Sequence, residues 1–573
     1  MYFAILLVVV TLATWTSQTA ITPKISEHIQ HVLRSKEIPG LTLGVVYSNG
    51  STELRAWGIR TEDGDATTPE TMFMIASCSK AFLAASLGIL MDDFSRGKNT
   101  TSLPSAVQEF RWTTKIADLL PGDWALMDEW ASKNANLRDT LAHVSGVAKH
   151  DYSFSLESSP LDIVRSMRHL RPSFELRTQW IYTNMEYMVA SHIVTRYSGV
   201  PYETFVQKRI FGPLGMNFTT FSLSKAENTG LLSHAWSWGL RRLPIWFPDE
   251  LSELCAGPMG IYSNIVDLSK WLGLLLNDGV QPTTGEIIIP KDALKEITTP
   301  RVIQSGVSPS PGFSLSGYAT GWFRQSYMGR EVIWHDGGLP GFTSFVGYFP
   351  ADGLGVVCLI NALGKVEEYT DIVYRIVREV LDLQEPPSAP SPSSTIAHEP
   401  TYIQDPAQLP MVKPKRPDGP TLDIEKYTGT YHDPGYGTIS FCTPQTDTPA
   451  CKEVITEFTP VQNIVYEANS SSEWPLGLYA KHPRLFSSHI RVVHKEGDLF
   501  RLIFTYLFPE GYGRNSTAFE MWASGLADSD AQFVVKGQEV VGFGLYNMLP
   551  MPSERQLAGG DVKEFSDVWF SKI

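Results

Sequence analysis

Residues 77 to 91 read Ser77-Cys78-Ser79-Lys80-Ala81-Phe82-Leu83-Ala84-Ala85-Ser86-Leu87-Gly88-Ile89-Leu90-Met91, a polar tetrad at the mouth of an apolar run. The run predicts a buried helix. A serine and a lysine three apart at its start face the same way. The free amides of a first helical turn form a positive patch where an anion is stabilised. A lysine held there, buried and near positive charge, can lose its proton and take one from the serine. Ser77 and Lys80 therefore read as nucleophile and base of a serine acyl-enzyme. A second Ser-x-x-Lys, Ser222-Leu-Ser-Lys225, follows turn-like text, and Ala-Glu-Asn-Thr-Gly230 breaks any helical register after it. Ser222 reads as a surface serine. Cys78 as nucleophile would leave the Lys80 register without meaning, so that reading is rejected.

The flanking text predicts the frame. A helix over residues 22–35 is capped by Thr22 with Pro23 behind it, and Asn49-Gly50 turns a hairpin between residues 41–47 and 52–57. Late strands are expected at 331–335, 342–349 and 355–361, then a helix over 369–381. The fold class is α+β: one antiparallel sheet joins both ends of a catalytic domain, residues 21–383, around a helical insert. Residues 384–420 are crowded with proline and serine and read as a linker. Residues 421–573 alternate in short β-like pieces, and a small all-β domain, sandwich or barrel, is expected there.

Bulk properties fit two or three globular domains in 573 residues, 43% hydrophobic and 19% charged. A net charge of −14 argues against nucleic acid and anionic membrane surfaces as partners. The apolar run in residues 1–15 is short for a stable membrane span and sits where a secretory leader has its core. Residues 1–20 read as that leader, placing the protein outside the cell or in the secretory lumen. Sequons at Asn49, Asn99, Asn217, Asn469 and Asn515 agree with a glycoprotein. The five cysteines show no metal spacing, and neither metal nor cofactor is expected. Cys442 and Cys451 flank turn-rich text and are expected to form a hairpin disulfide. Cys78, Cys255 and Cys358 read as buried thiols.

An acyl-enzyme also needs a proton shuttle and oxyanion donors. Tyr182-Thr-Asn184, ahead of an apolar helix, offers a phenol for Ser77 and an amide for Lys80 and the substrate. Tyr47-Ser-Asn49 is explained by its turn, while Tyr262-Ser-Asn264 remains a rival on spacing alone. His335-Asp-Gly337 is expected at a strand end entering Gly337-Gly-Leu-Pro-Gly341. His335 would donate to Tyr182 or to a substrate carboxylate. Small residues Gly337 and Gly338 would let the substrate backbone approach, and the Gly338 N–H would pair with that of Ser77 as an oxyanion hole. The tryptophans of loop 236–253 read as loop packing.

In this order and spread, the three motifs resemble those of the serine β-lactamase-related family. It comprises class C β-lactamases, penicillin-binding D-alanyl carboxypeptidases and related esterases and acyltransferases. Leu137-Arg-Asp-Thr-Leu-Ala-His-Val-Ser-Gly146 and Ala256-Gly-Pro-Met-Gly-Ile-Tyr-Ser-Asn-Ile-Val-Asp-Leu268 are similar to family landmarks, and the second assigns Tyr262 to a structural loop. The resemblance spans roughly residues 25–383. It implies catalytic roles for Ser77, Lys80 and Tyr182 and substrate binding by Asn184, His335, Gly337 and Gly338. His335 departs from the lysine of true β-lactamases, so a permanent charge for a substrate carboxylate is missing. The tail resembles a lipocalin-like β domain that accompanies some members.

The expected activity is hydrolysis of an ester, amide or lactone in a small-molecule or peptide acyl substrate. Acyl transfer on the same fold, or a silent receptor for peptides or cell-wall fragments, are the alternatives.

Overall fold

Thr22 accepts a hydrogen bond from the Ile25 amide and starts a helix at Pro23–Ser35 whose apolar side is Ile25, Ile29, Val32 and Leu33. In the computed structural model, which describes residues 19–386, 419–467, 474, 476–522, 528–546, 548 and 560–573, that helix covers one face of the main sheet. Most of the expected leader and linker, residues 1–18 and 387–418, lies outside the described residues. Ala20, the last residue read as leader, is buried and donates its amide to Glu53 at 2.8 Å, so it packs as part of the domain.

The sheet has eight antiparallel strands. In spatial order they are Thr52–Gly58, Gly40–Tyr47, Leu354–Ile360, Phe342–Phe349, Arg330–Leu339, Phe323–Tyr327, Ser316–Tyr318 and Val302–Ser305. The expected joining of early and late strands holds: Leu41 pairs with Ile360 and Val45 with Val356. Leu354–Ile360 is buried throughout, as a central strand covered on both faces must be. Helices Pro23–Ser35 and Val366–Val380 pack on one face, and Ile265–Leu276 with the helical insert lies on the other.

One strand differs from its reading. Arg330–Leu339 continues through the two glycines, which pair as Gly337 with Ser344 and Gly338 with Thr343, so the turn waits until Pro340-Gly341. A Cβ at Gly337 would stand 2.3 Å from Ile75 O and 2.3 Å from Ser344 Oγ. Glycine is needed there for close approach to the segment before Ser77 rather than for a turn.

The C-terminal domain is a nearly closed antiparallel barrel running from Gly437–Phe441 round to Gly477–Arg484. Its two ends meet where Cys442 and Tyr479 exchange backbone hydrogen bonds of 2.8 Å. Tyr431, Phe441, Phe500, Phe533 and Phe543 fill the interior. The domain is not purely β. A 19-residue helix, Pro449–Glu467, lays Cys451, Val454, Phe458 and Val461 against it. The Cys442–Cys451 disulfide therefore ties a strand end to a first helical turn instead of closing a hairpin. Cys78, Cys255 and Cys358 are free and buried. Among the described residues no helix is long and apolar enough to cross a membrane.

Candidate active site

Ser77 lies in a 3-10 turn, Ala76–Ser79, that runs directly into the helix Lys80–Ser95. From Thr71 to Met91 it is the one residue that is not buried. Ala76, just before it, adopts φ +48°, a left-handed conformation costly for a residue with a Cβ. The fold holds this strain by anchoring Ile75 on both sides. Its amide donates to Ile261 O, and its carbonyl accepts from Ser344 Oγ at 2.8 Å.

The Lys80 side chain is fully buried, and Nζ donates to Ser77 Oγ at 3.2 Å, Asn184 Oδ1 at 2.9 Å and Pro258 O at 3.0 Å. Nζ also lies 4.6 Å from the centre of the Tyr182 ring. Tyr182 and Asn184 immediately precede the helix Met185–Ser198, whose apolar length is buried in the insert. The Tyr182 hydroxyl donates to Ser77 Oγ at 2.7 Å. Ser77, Lys80, Tyr182 and Asn184 thus converge from two helix starts about a hundred residues apart. The Nδ2 amide of Asn184 donates to Asp151 Oδ2 at 2.9 Å, so this donor is already engaged within the protein.

His335 is placed differently from its reading. It is 1% exposed, its Nδ1–H donates to Asp336 O at 2.6 Å, and its Nε2 accepts from the Tyr318 hydroxyl at 3.1 Å. Its ring centre is 6.3 Å from that of Tyr182, and neither nitrogen reaches the phenol or the surface. Burial and the nearby Lys80 charge hold its pKa down at about 3, so it is neutral. Because the strand continues through Gly337, its alternation turns His335 into the core where a turn would have released it. Gly337 lies against the Ile75 carbonyl and the Ala76 Cβ, and Gly338 follows it on the same strand.

Several neighbours escaped the sequence reading. His143, quoted above only as part of a landmark, sits 4.6 Å from Tyr182 ring to ring, and its Nδ1 is 2.9 Å from Glu186 Oε2. Burial lowers His143 well below the imidazole range and raises Glu186 well above the carboxylate range. The pair is therefore neutral, with Glu186 donating to Nδ1. Pro258, too, appeared only inside a landmark, and Asp151 carried no motif at all. Cys78 is kept a thiol by burial, its pKa pushed up to about 12, and its Sγ donates to His335 O, so no thiolate competes with Ser77.

The rivals fall elsewhere. Tyr262 is buried and donates to Phe247 O, Tyr47 donates to Glu53, and Ser222 caps the short helix Leu223–Asn228. In the tryptophan-rich loop, Trp246 donates from Nε1 to the hydroxyl of Tyr506 in the barrel at 2.8 Å, which is packing between domains.

A family model described as Beta-lactamase matches residues 25–379. The chain belongs to the beta-lactamase family. This beta-lactamase-family chain is an enzyme of the serine-hydrolase kind. It is 29% identical over 436 residues to the unguisins hydrolase ungD' of Aspergillus campestris, covering 72% of this chain and 76% of that one. It is 23% identical over 382 residues to penicillin-binding protein 4 of Amycolatopsis lactamdurans, covering 64% and 94%. The fold is similar, at TM-score 0.52 and 18% identity, to the octameric penicillin-binding protein homologue from Pyrococcus abyssi, over 96% of this chain and 99% of that chain. This last likeness runs through both domains.

Proposed function

We propose that this beta-lactamase-family enzyme hydrolyses an ester, amide or lactone in a small-molecule or peptide substrate through an acyl-enzyme on Ser77. The observation that carries the reading is the pair of hydrogen bonds from Lys80 Nζ and Tyr182 to Ser77 Oγ. One hydroxyl, the only accessible group of its helix start, faces two proton carriers at once. In the first step Lys80 acts as the free amine and takes the Ser77 proton, directly or through Tyr182, as Oγ bonds to the carbonyl carbon. The oxyanion lies between the Ser77 and Gly338 amides. When the tetrahedral species collapses, the bond to the leaving group breaks and that group takes the proton through Tyr182. Water then attacks the Ser77 ester and gives a proton to the same pair; the acyl C–Oγ bond breaks, Ser77 Oγ takes that proton back, and the acid leaves.

A relative named as a hydrolase supports water as the acceptor. Neutral, buried His335 offers no charge for a substrate carboxylate, which favours uncharged acyl groups. Secretion is part of the proposal. It is supported by the Cys442–Cys451 disulfide and by the exposure of Asn49, Asn99, Asn217 and Asn515. The test is a fluorophosphonate probe followed by peptide mass mapping. Stoichiometric adduct on Ser77, absent in Ser77→Ala, is expected. A folded wild-type protein that gains no mass on Ser77 would falsify the reading.

A further inference from the structure

The barrel grips the catalytic domain at a turn placed directly behind Lys80. Asp151–Ser153 is a buried 3-10 turn. On one side of Asp151, His150 donates from Nε2 to Arg171 O at 3.0 Å and accepts at Nδ1 from the hydroxyl of Tyr436, 2.9 Å away in the barrel. On the other side, Tyr152 stacks on the barrel residue Phe504, with ring centres 4.0 Å apart and planes 7° from parallel. Phe154 O accepts from the Leu485 amide, and the Arg171 guanidinium reaches the carbonyls of Lys563 and Ser566. The residues flanking Asp151 are thus fastened to a domain that supplies none of the proposed catalytic groups.

Asp151 in turn decides which way Asn184 points. An amide side chain has a donor end and an acceptor end of nearly the same shape. A carboxylate accepts only, so Asp151 Oδ2 takes Nδ2 and leaves Oδ1 facing Lys80 Nζ at 2.9 Å. With the carboxylate removed, the amide is free to turn and present donors to an amine that already donates.

Resting on the acyl-enzyme reading above, we propose that Asp151 is a positioning residue for Lys80, and that the barrel is a working part of the active site because it holds Asp151 in place. The connection runs from Tyr436 and Phe504 through His150 and Tyr152 to Asp151, Asn184, Lys80 and Ser77. The phenols of Tyr182 and Tyr187, the imidazoles of His143 and His335 and the Cys78 thiol also face Lys80.

The test uses the full chain and compares Asp151→Ala, Asp151→Asn and Tyr436→Phe with wild type at matched folded fraction. Readouts are the fluorophosphonate labelling rate at Ser77 and the pH profile of kcat/KM on a chromogenic ester. Asp151→Ala is expected to slow labelling and kcat by about 10–100-fold with KM within about threefold, in the range of a lost positioning contact. Its acid limb should move to lower pH, since the ammonium loses both an acceptor and a nearby negative charge. Asp151→Asn keeps an acceptor oxygen and should restore most of the rate. Tyr436→Phe, which deletes one barrel hydroxyl, should shift rate and limb in the Asp151→Ala direction by a smaller amount. Wild-type labelling by Asp151→Ala or by Tyr436→Phe overturns this inference alone, as does Asp151→Asn no faster than Asp151→Ala. Absence of wild-type labelling at Ser77 overturns the acyl-enzyme reading, and this inference with it.

Discussion

Tyr182 donates a 2.7 Å hydrogen bond to Ser77 Oγ across 105 residues of chain, and both side chains are half-buried while Lys80 behind them is sealed. A substrate therefore meets the hydroxyl and the phenol but not the amine. Tyr182→Phe is expected to lower kcat by about 10²–10⁴-fold, the usual worth of a placed proton carrier, with KM changing far less. Steady-state kinetics on an activated ester decides it, and an unchanged kcat would remove Tyr182 from the proton path.

Gly337→Ala should damage the site through the backbone. The added methyl would meet Ile75 O at 2.3 Å and Ala76 Cβ at 3.0 Å, displacing the strained pair that presents Ser77. Overpacking of this kind costs about 1–3 kcal/mol. Urea unfolding should show that loss, and Ser77 labelling should slow even where the variant is fully folded.

His335→Lys, which restores the residue type of the resembled β-lactamases, should not create a carboxylate-binding β-lactamase. The new ammonium would replace the neutral ring that joins Tyr318 and Asp336 O in the core, near Lys80. A lower Tm and no gain on a chromogenic cephalosporin are expected. Efficient cephalosporin turnover by this variant would show that the position reaches the substrate.

Stability should fall on the acid side. Burial, aided at His335 by Lys80, holds His335 at about 3, and burial holds His143 and His482 well below the imidazole range. From about pH 6.5 down towards 3 the unfolded chain binds protons that the native state refuses, so stability is full above about 6.5 and declines below it. Glu186 acts with the opposite sign. Its raised pKa gives stability present below its unfolded value and lost as pH rises through the folded one. His192, His234 and His489 are lowered as well, and six lowered histidines outweigh the raised carboxyls of Glu186, Glu203 and Asp433, so the urea midpoint should be lower at pH 5 than at pH 7. His335→Gln should flatten that slope, and equal midpoints for wild type at the two pH values would contradict the burial argument.

Much of this was legible in the chain because the signals were local. Ser77 and Lys80 three apart before an apolar run describe a helix start, and the Asn49-Gly50 hairpin with the late apolar strands described the sheet. What failed depended on one residue of register. Reading Gly337-Gly338 as a turn released His335 to the surface, whereas extended glycines packed on Ile75 send it inward. The Pro449–Glu467 helix did have a signal, since Cys451, Val454, Phe458 and Val461 recur at helical spacing, but Pro460 and the turn-rich approach obscured it. Asp151 had none. Its meaning comes only from Asn184, 33 positions away, and from a barrel that begins far later in the chain.

The pairing of Gly40–Tyr47 with Leu354–Ile360 also sets an order of events during synthesis. The first strand leaves the ribosome while its inner neighbour is still some 300 residues from being made, roughly 15–60 s at ordinary elongation rates. Until then only the hairpin partner is available to it, and an open apolar edge waits in the nascent chain. A holding chaperone, or early burial against the helical insert, would have to guard that edge, and truncations ending before residue 354 should aggregate instead of accumulating as a folded fragment.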